Sequence, residues 1–289
     1  MPETAAAGVT AAGATAPEDG GPRSSSASGT DAGPARTEPR GGSRTPPALL
    51  DGVVALAAAA AGPARAGARG DGVPPVRVLD LGGGTGGLAV ELASRGHDVV
   101  VVDPSPDALA ALARRADEVG VAQRLTGVQG DAEDLSAHVA DASVDVLLAH
   151  GVLEVVEDPR AALAACRRAL RPTGRLSVLV AGRGAAVLAR VGSGHLRQAR
   201  ALQQDPDGRW GPGDPLLRRF DVEGARSLLA ATGFGVLRTQ GVGVFRAVTP
   251  RSAADPAAAQ ALEELERAAS ADPALLGVAA AIHLHAAPV

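Results

Sequence analysis

Val78-Leu79-Asp80-Leu81-Gly82-Gly83-Gly84-Thr85-Gly86-Gly87 is the stretch whose reading decides the fold. Its first four residues complete a short apolar run, 76–81, of the length of a buried strand. The glycines that follow permit a tight turn and a close approach of a ligand to the backbone. Residues 87–95 then carry Leu88, Val90, Leu92 and Ala93 on a helical pattern. Strand, glycine turn and helix in that order aim the free N–H groups of the helix into the crevice beyond the strand, the default ligand site of an open α/β sheet.

Working outward, strands and helices alternate. Residues 98–103 (Asp-Val-Val-Val-Val-Asp) form a continuous apolar run, as expected of a parallel strand covered on both faces. A helix is predicted over 106–119, with Pro106 in its first turn and Gly120 at its end. Weaker strand character follows at 124–129, then a strand at 144–149, a helix at 160–170 and a strand at 175–181. This spacing implies βαβ units and a parallel sheet. The C-terminal third reads as one helix over 185–204, a rigid Gly/Pro loop over 205–215 and a helix over 222–231. A strand-like run over 235–245, bent at Gly241 and Gly243, precedes a helix at 257–269 and a last strand at 279–287. Ahead of the alternation stand a helix at 48–61 and a Gly/Pro/Arg loop at 62–75. Residues 1–47, rich in Ala, Gly, Pro and Ser, hold no period that could bury a core and read as a disordered tail.

Composition narrows the classes. No apolar run reaches the roughly 18–20 residues of a membrane helix, and no basic segment leads into an apolar one at the N-terminus, so a cytoplasmic protein is expected. The single Cys, Cys166, excludes a disulfide framework and a multi-thiolate metal site, and it falls mid-helix among apolar residues, where a core role is expected. A net charge of −4 gives no global attraction to nucleic acid. Locally, 183–251 holds eleven Arg against five acids, and guanidinium forks suit carboxylate or phosphate.

The glycine spacing admits two ligands. Gly82, Gly84 and Gly87 satisfy the G-x-G-x-x-G of dinucleotide sites, whereas Asp80 with Gly82, Gly84 and Gly86 gives D-x-G-x-G-x-G, which suits S-adenosylmethionine. Asp103, ending the next strand, would accept ribose hydroxyls from either. Two later segments decide between them. Gly130-Asp131-Ala132-Glu133-Asp134 follows the third strand, where a polar residue can meet an adenine edge, and His150-Gly151-Val152-Leu153-Glu154 ends the fourth. With Leu170-Arg171-Pro172-Thr173-Gly174-Arg175-Leu176, this ordered set resembles the class I S-adenosylmethionine-dependent methyltransferases over about 76–182. Further matches at Asp158-Pro159-Arg160, 238–245 and 262–266 resemble the branch containing the bacterial tRNA carboxymethoxyuridine methyltransferase.

The resemblance implies a Rossmann-like seven-stranded, mostly parallel sheet with helices on both faces and an antiparallel last strand. It implies a domain over 48–289, with a cofactor half at about 76–182 and substrate-side elements at 183–289. It places Asp80, Gly82, Gly83, Gly84, Gly86, Asp103, Asp131, Ala132, Glu133 and His150 against S-adenosylmethionine, with Gly82 and Gly83 facing its methionine portion. His150 and Glu154 are the candidate catalytic groups, needed only if the acceptor must lose a proton. Arg183, and after it Arg246, are the candidate acceptor-binding residues. The branch also has an N-terminal Arg on the cofactor carboxylate, for which Arg44 is the nearest match. It often has Trp where Val155 stands and Tyr-Asn where Ala181-Gly182 stand. The expected function is methyl transfer to an anionic acceptor, either a tRNA wobble-uridine carboxylate or a small carboxylate metabolite. The alternatives are an NAD(P)-dependent oxidoreductase and a catalytically silent binding module. No metal is expected: His283 and His285 alternate on the last strand as packing or surface residues do, His97 and His138 have no sequence partners, and His195, after Gly-Ser-Gly, reads as a surface residue.

Overall fold

The apolar runs assemble into one seven-stranded sheet, ordered β3-β2-β1-β4-β5-β7-β6. The strands are β1 (Arg77–Leu81), β2 (Asp98–Asp103), β3 (Leu125–Gln129), β4 (Val144–His150), β5 (Leu170–Ala181), β6 (Phe234–Val242) and β7 (Ala281–Pro288). The helices are α1 (Pro47–Ala66), α2 (Gly87–Ser94), α3 (Pro106–Val119), α4 (Leu135–His138), α5 (Pro159–Ala169), α6 (Arg183–Gly192), α7 (Leu196–Gln204), α8 (Val222–Ala231), α9 (Pro256–Ala269) and α10 (Pro273–Leu276). This computed structural model describes residues 47–66, 75–246, 249 and 255–289. The expected tail up to residue 46, Arg44 and most of the 62–75 loop lie outside the described residues.

β1 to β5 pair in parallel, and β7 runs antiparallel to both β5 and β6, as expected of the last strand. The sheet is apolar on both sides because both are covered. On one, Val78, Val101, Val146 and Leu148 pack against Val53 and Ala57 of α1, Leu92 of α2 and Leu112 of α3. On the other, Leu79, Leu147, Val178 and Leu284 pack against Leu163 and Cys166 of α5 and Leu229 of α8. Cys166 is in the core as expected, and burial pushes its thiol up to about 12, which makes it inert. No described helix is long and apolar enough to cross a membrane.

Three expectations need correction. The helix expected over 185–204 is two helices, because Gly194 adopts φ +74° and the N–H groups of Gly194 and His195 close back onto Val191 and Arg190. Gly241 does not bend the strand: it stays in the ladder opposite Ile282, and the chain leaves at Gly243, with φ +70°. The helix expected over 48–61 runs on to Ala66. The short helices α4 and α10 carry too few residues for any periodicity to announce them.

Candidate active site

The loop between β1 and α2 meets the requirements for a ligand cradle. Gly84 has φ +56°, open space on the side where a Cβ would stand, and an N–H that donates to Asp103 Oδ2 at 2.9 Å. Gly86 serves the fold instead: at φ +75°, a Cβ there would lie 1.9 Å from Leu112 Cδ1, so it lets α3 pack against the loop. Gly87 has no contact that close, with Arg115 at 3.5 Å. The third glycine that packing demands is therefore Gly86, as in D-x-G-x-G-x-G, and not Gly87. Under Gly83 lies Asp80, its Oδ2 2.6 Å from the position of a Cβ. Asp80 is 4% exposed, and its carboxylate accepts no hydrogen bond among the described residues. Burial, with the Asp103 charge second, pushes its carboxyl up to about 7.

Asp103 ends β2, fully buried, with Oδ1 accepting Ser105 N–H at 2.9 Å. Beyond β3, Asp131 Oδ1 accepts the N–H groups of Glu133 and Asp134, which turns the chain so that Ala132 is buried and Glu133 exposed. His138 lies against Gly130, within 2.6 Å of where a Cβ would stand. These residues lie at or just beyond the carboxyl ends of β1, β2 and β3.

His150 ends β4 and points along the sheet face covered by α1. Its Nε2 is hydrogen-bonded to Ser177 Oγ at 2.8 Å, and Ser177 Oγ to His283 Nε2 at 2.7 Å. The His283 ring meets His285 edge-on at 4.4 Å. Burial first, and neighbouring positive charge second, lowers His150 and His285 to about 4 and His283 well below the usual range. All three imidazoles are neutral at physiological pH. The Ser177 hydroxyl has one proton to give, so one of the two Nε2 atoms it joins carries a hydrogen and the other accepts one. No group of three His, Cys, Asp or Glu side chains among the described residues is arranged to hold a metal.

A methyltransferase domain family matches residues 79–178. The tRNA 5-carboxymethoxyuridine methyltransferase of Escherichia coli K12 is 38% identical over 108 residues, 37% of this chain and 41% of that protein. Residues 79–178 thus match a methyltransferase domain of the class I S-adenosylmethionine-dependent kind. The ubiquinone biosynthesis O-methyltransferase of Azorhizobium caulinodans is 39% identical over 103 residues, 36% of this chain and 39% of that protein. The chain thus spans about two fifths of the length of these curated relatives. Among solved structures, the [4+2]-cyclase SpnF superposes with a TM-score of 0.53 at 23% identity, over 83% of this chain and 80% of that one. The geranyl diphosphate C-methyltransferase of Streptomyces coelicolor A3(2) gives 0.52 at 14%, over 84% and 78%. These two likenesses show the fold alone, and a cyclase among them illustrates why.

In the methyltransferase domain, Glu154 serves as a clasp. Its Oε1 accepts Ala181 N–H at 2.8 Å and its backbone carbonyl accepts the N–H groups of Leu217 and Arg218. Oε2 is buried with no partner among the described residues, and burial pushes the carboxyl up to about 7 against the pull of its own N–H, of Ala181 N–H and of the Arg218 and Arg219 charges. The Arg218 guanidinium caps the carbonyls of Leu153, Val156 and Glu157. Arg183 donates to the Pro206 carbonyl and packs on Gly208, so it braces the loop after α7. Arg246 is exposed beside a cavity, its N–H held by Glu266 Oε1 at 2.8 Å. Sequence reasoning missed Ser177, whose role depends on a strand placed between β5 and β6. It also missed the buried Asp214–Arg219 pair, joined by two hydrogen bonds of 2.6 and 2.9 Å, which stiffens the loop read as rigid from its Gly and Pro content.

Proposed function

We propose that this chain transfers the methyl group of S-adenosylmethionine to a small acceptor bearing a carboxylate. The observation that carries the reading is Asp80: a buried carboxylate beneath a glycine loop, with no hydrogen-bond partner among the described residues, is a place for a cationic group, and this cofactor offers an ammonium and a sulfonium. The Gly82–Gly86 backbone would hold the methionine portion, Asp103 the ribose hydroxyls, and Asp131, Ala132 and Glu133 the adenine. The bound cofactor supplies an already activated methyl group, so the protein's task is to position the acceptor and exclude water.

The acceptor follows from the groups that remain. His150 is neutral and, at about 4, a weak base, and Glu154 Oε1 is tied to Ala181. A carboxylate acceptor is ionised at neutral pH and needs no proton removed. Of the arginines that made 183–251 basic, Arg183, Arg218, Arg219 and Arg226 bond to the fold itself and Arg190 lies over Trp210. That favours a small acceptor over a tRNA, which needs a continuous basic face.

Calorimetry tests the reading. Wild-type protein should bind S-adenosylmethionine and not NAD, and Asp103→Ala should weaken that binding by about 1.5–3 kcal/mol, the range for hydrogen bonds to a charged group. Unchanged affinity in a folded Asp103→Ala protein removes Asp103 from the site. Formation of S-adenosylhomocysteine with a small-molecule extract should separate an active enzyme from a silent module.

A further inference from the structure

A cavity of about 380 Å³ lies between α1, the carboxyl end of β6 and α9. It opens on the same sheet edge as the glycine loop, because Val242 of β6 is level with Ala281 of β7 and Ala181 of β5. Arg238, Arg246 and Arg267 line it, from β6, the turn after β6 and α9. None of their guanidinium groups has a hydrogen bond or ion pair among the described residues. The Glu266 carboxylate, which also lines the cavity, is taken up by the backbone N–H groups of Val244, Phe245 and Arg246, at 2.8, 2.9 and 2.8 Å. Glu266 therefore pins the turn that presents Arg246 and leaves the guanidinium available. Asp51 and Glu263 are the other acids of the lining. Such a volume suits a small molecule, and guanidinium forks suit a planar carboxylate.

The cavity shares a wall with the buried histidines. Gly52 of α1 lines it and covers the imidazoles so closely that a Cβ would stand 3.2 Å from His285 Nε2 and 3.3 Å from His283 Cε1. Arg238 is the ladder neighbour of His285. From there, His283, Ser177 and His150 form an unbroken string to the end of β4 beside the cofactor loop. We infer that this cavity is the acceptor pocket and that Arg238, Arg246 and Arg267 hold the acceptor by a carboxylate. The inference rests on the methyltransferase reading for the word acceptor. Carboxylate binding itself can be tested without turnover.

Malonate serves as the probe, malonamide as its uncharged counterpart and inorganic phosphate as the competing oxyanion. The readout is the set of histidine ring-proton signals by NMR, with His285→Gln identifying that residue's resonance. Malonate should shift the His285 and His283 signals saturably and raise the pH at which His285 titrates, because the anion cancels the Arg238 charge that disfavours its protonation. Malonamide should do neither. Arg238→Gln and Arg267→Gln should each weaken malonate binding at least tenfold while leaving S-adenosylmethionine affinity within twofold. Both sites are exposed, and a thermal melt verifies the fold. S-adenosylmethionine binding with no histidine response to malonate overturns the pocket assignment alone. A stronger response to phosphate than to malonate overturns the carboxylate assignment. Failure of the wild-type chain to bind S-adenosylmethionine overturns the methyltransferase reading, whatever malonate does.

Discussion

Asp80 shows how one buried carboxyl makes stability depend on pH. Its carboxyl titrates near 7 in the fold and near 3.8 when unfolded. Its cost is absent below the unfolded value, grows as pH rises between the two and is complete above 7. Asp80→Asn should therefore melt higher than wild type at pH 8 and no higher at pH 3.5. The same residue should link cofactor binding to pH. A cation beside Asp80 favours the ionised form, so binding releases a proton, and affinity for S-adenosylmethionine should climb from pH 5 to about 7 and then level off. Asp80→Asn should bind more weakly and flatten that profile, as read by calorimetry in buffers of different ionisation enthalpy. A steep profile retained in Asp80→Asn would place the linkage elsewhere. At this scale the sequence was partly legible. The D-x-G-x-G-x-G spacing marked Asp80 and the loop, but no spacing reveals that Arg183 turns to a carbonyl while Arg238 and Arg267 are left facing a cavity. Those outcomes depend on contacts between segments far apart in the chain.

At the scale of the element, the β1–α2 loop makes a contrasting pair. Gly84→Ala places a methyl in open space at positive φ, costing about 1–2 kcal/mol of stability but intruding where the ligand would lie. Cofactor affinity should fall more than tenfold while the chain stays folded. Gly86→Ala adds a collision with Leu112 to the same backbone strain, about 1–3 kcal/mol more, so it should be the less stable of the two in urea. The reverse order would mean the loop faces are misassigned. The 205–220 loop holds a second test. Burial alone would raise Asp214, but hydrogen bonds from Arg219, Trp210 N–H and Leu216 N–H outweigh it and hold the carboxyl below its ordinary value. Its contribution is present above about pH 4 and lost as pH falls through the folded value. Asp214→Ala would strand the Arg219 guanidinium, 9% exposed, and should cost about 3–5 kcal/mol in equilibrium unfolding near neutral pH. The cofactor-half elements were readable because each has its own period and its own stop signal. The break at Gly194 was not, since an isolated glycine in a helical pattern is as often tolerated as obeyed.

At the scale of the whole molecule, the alternation of strands and helices specified a covered parallel sheet, and an antiparallel last strand was expected from family likeness. Which strands that last one would lie between, no local pattern states. The answer has a consequence for how the protein is made. β6 and β7 are separated by the 38 residues between Val242 and Ala281, yet among the described strands β7 alone links β6 to β5. On a ribosome adding about 5–20 residues per second, β5 and β6 emerge seconds before the strand that joins them. During that interval each presents an open edge of unpaired backbone groups, and the Ser177 hydroxyl has yet to meet His283. The nascent chain is then most exposed to strand exchange with a neighbour on the same message. The last element to be synthesised is the one that seals the sheet and completes the buried histidine string together.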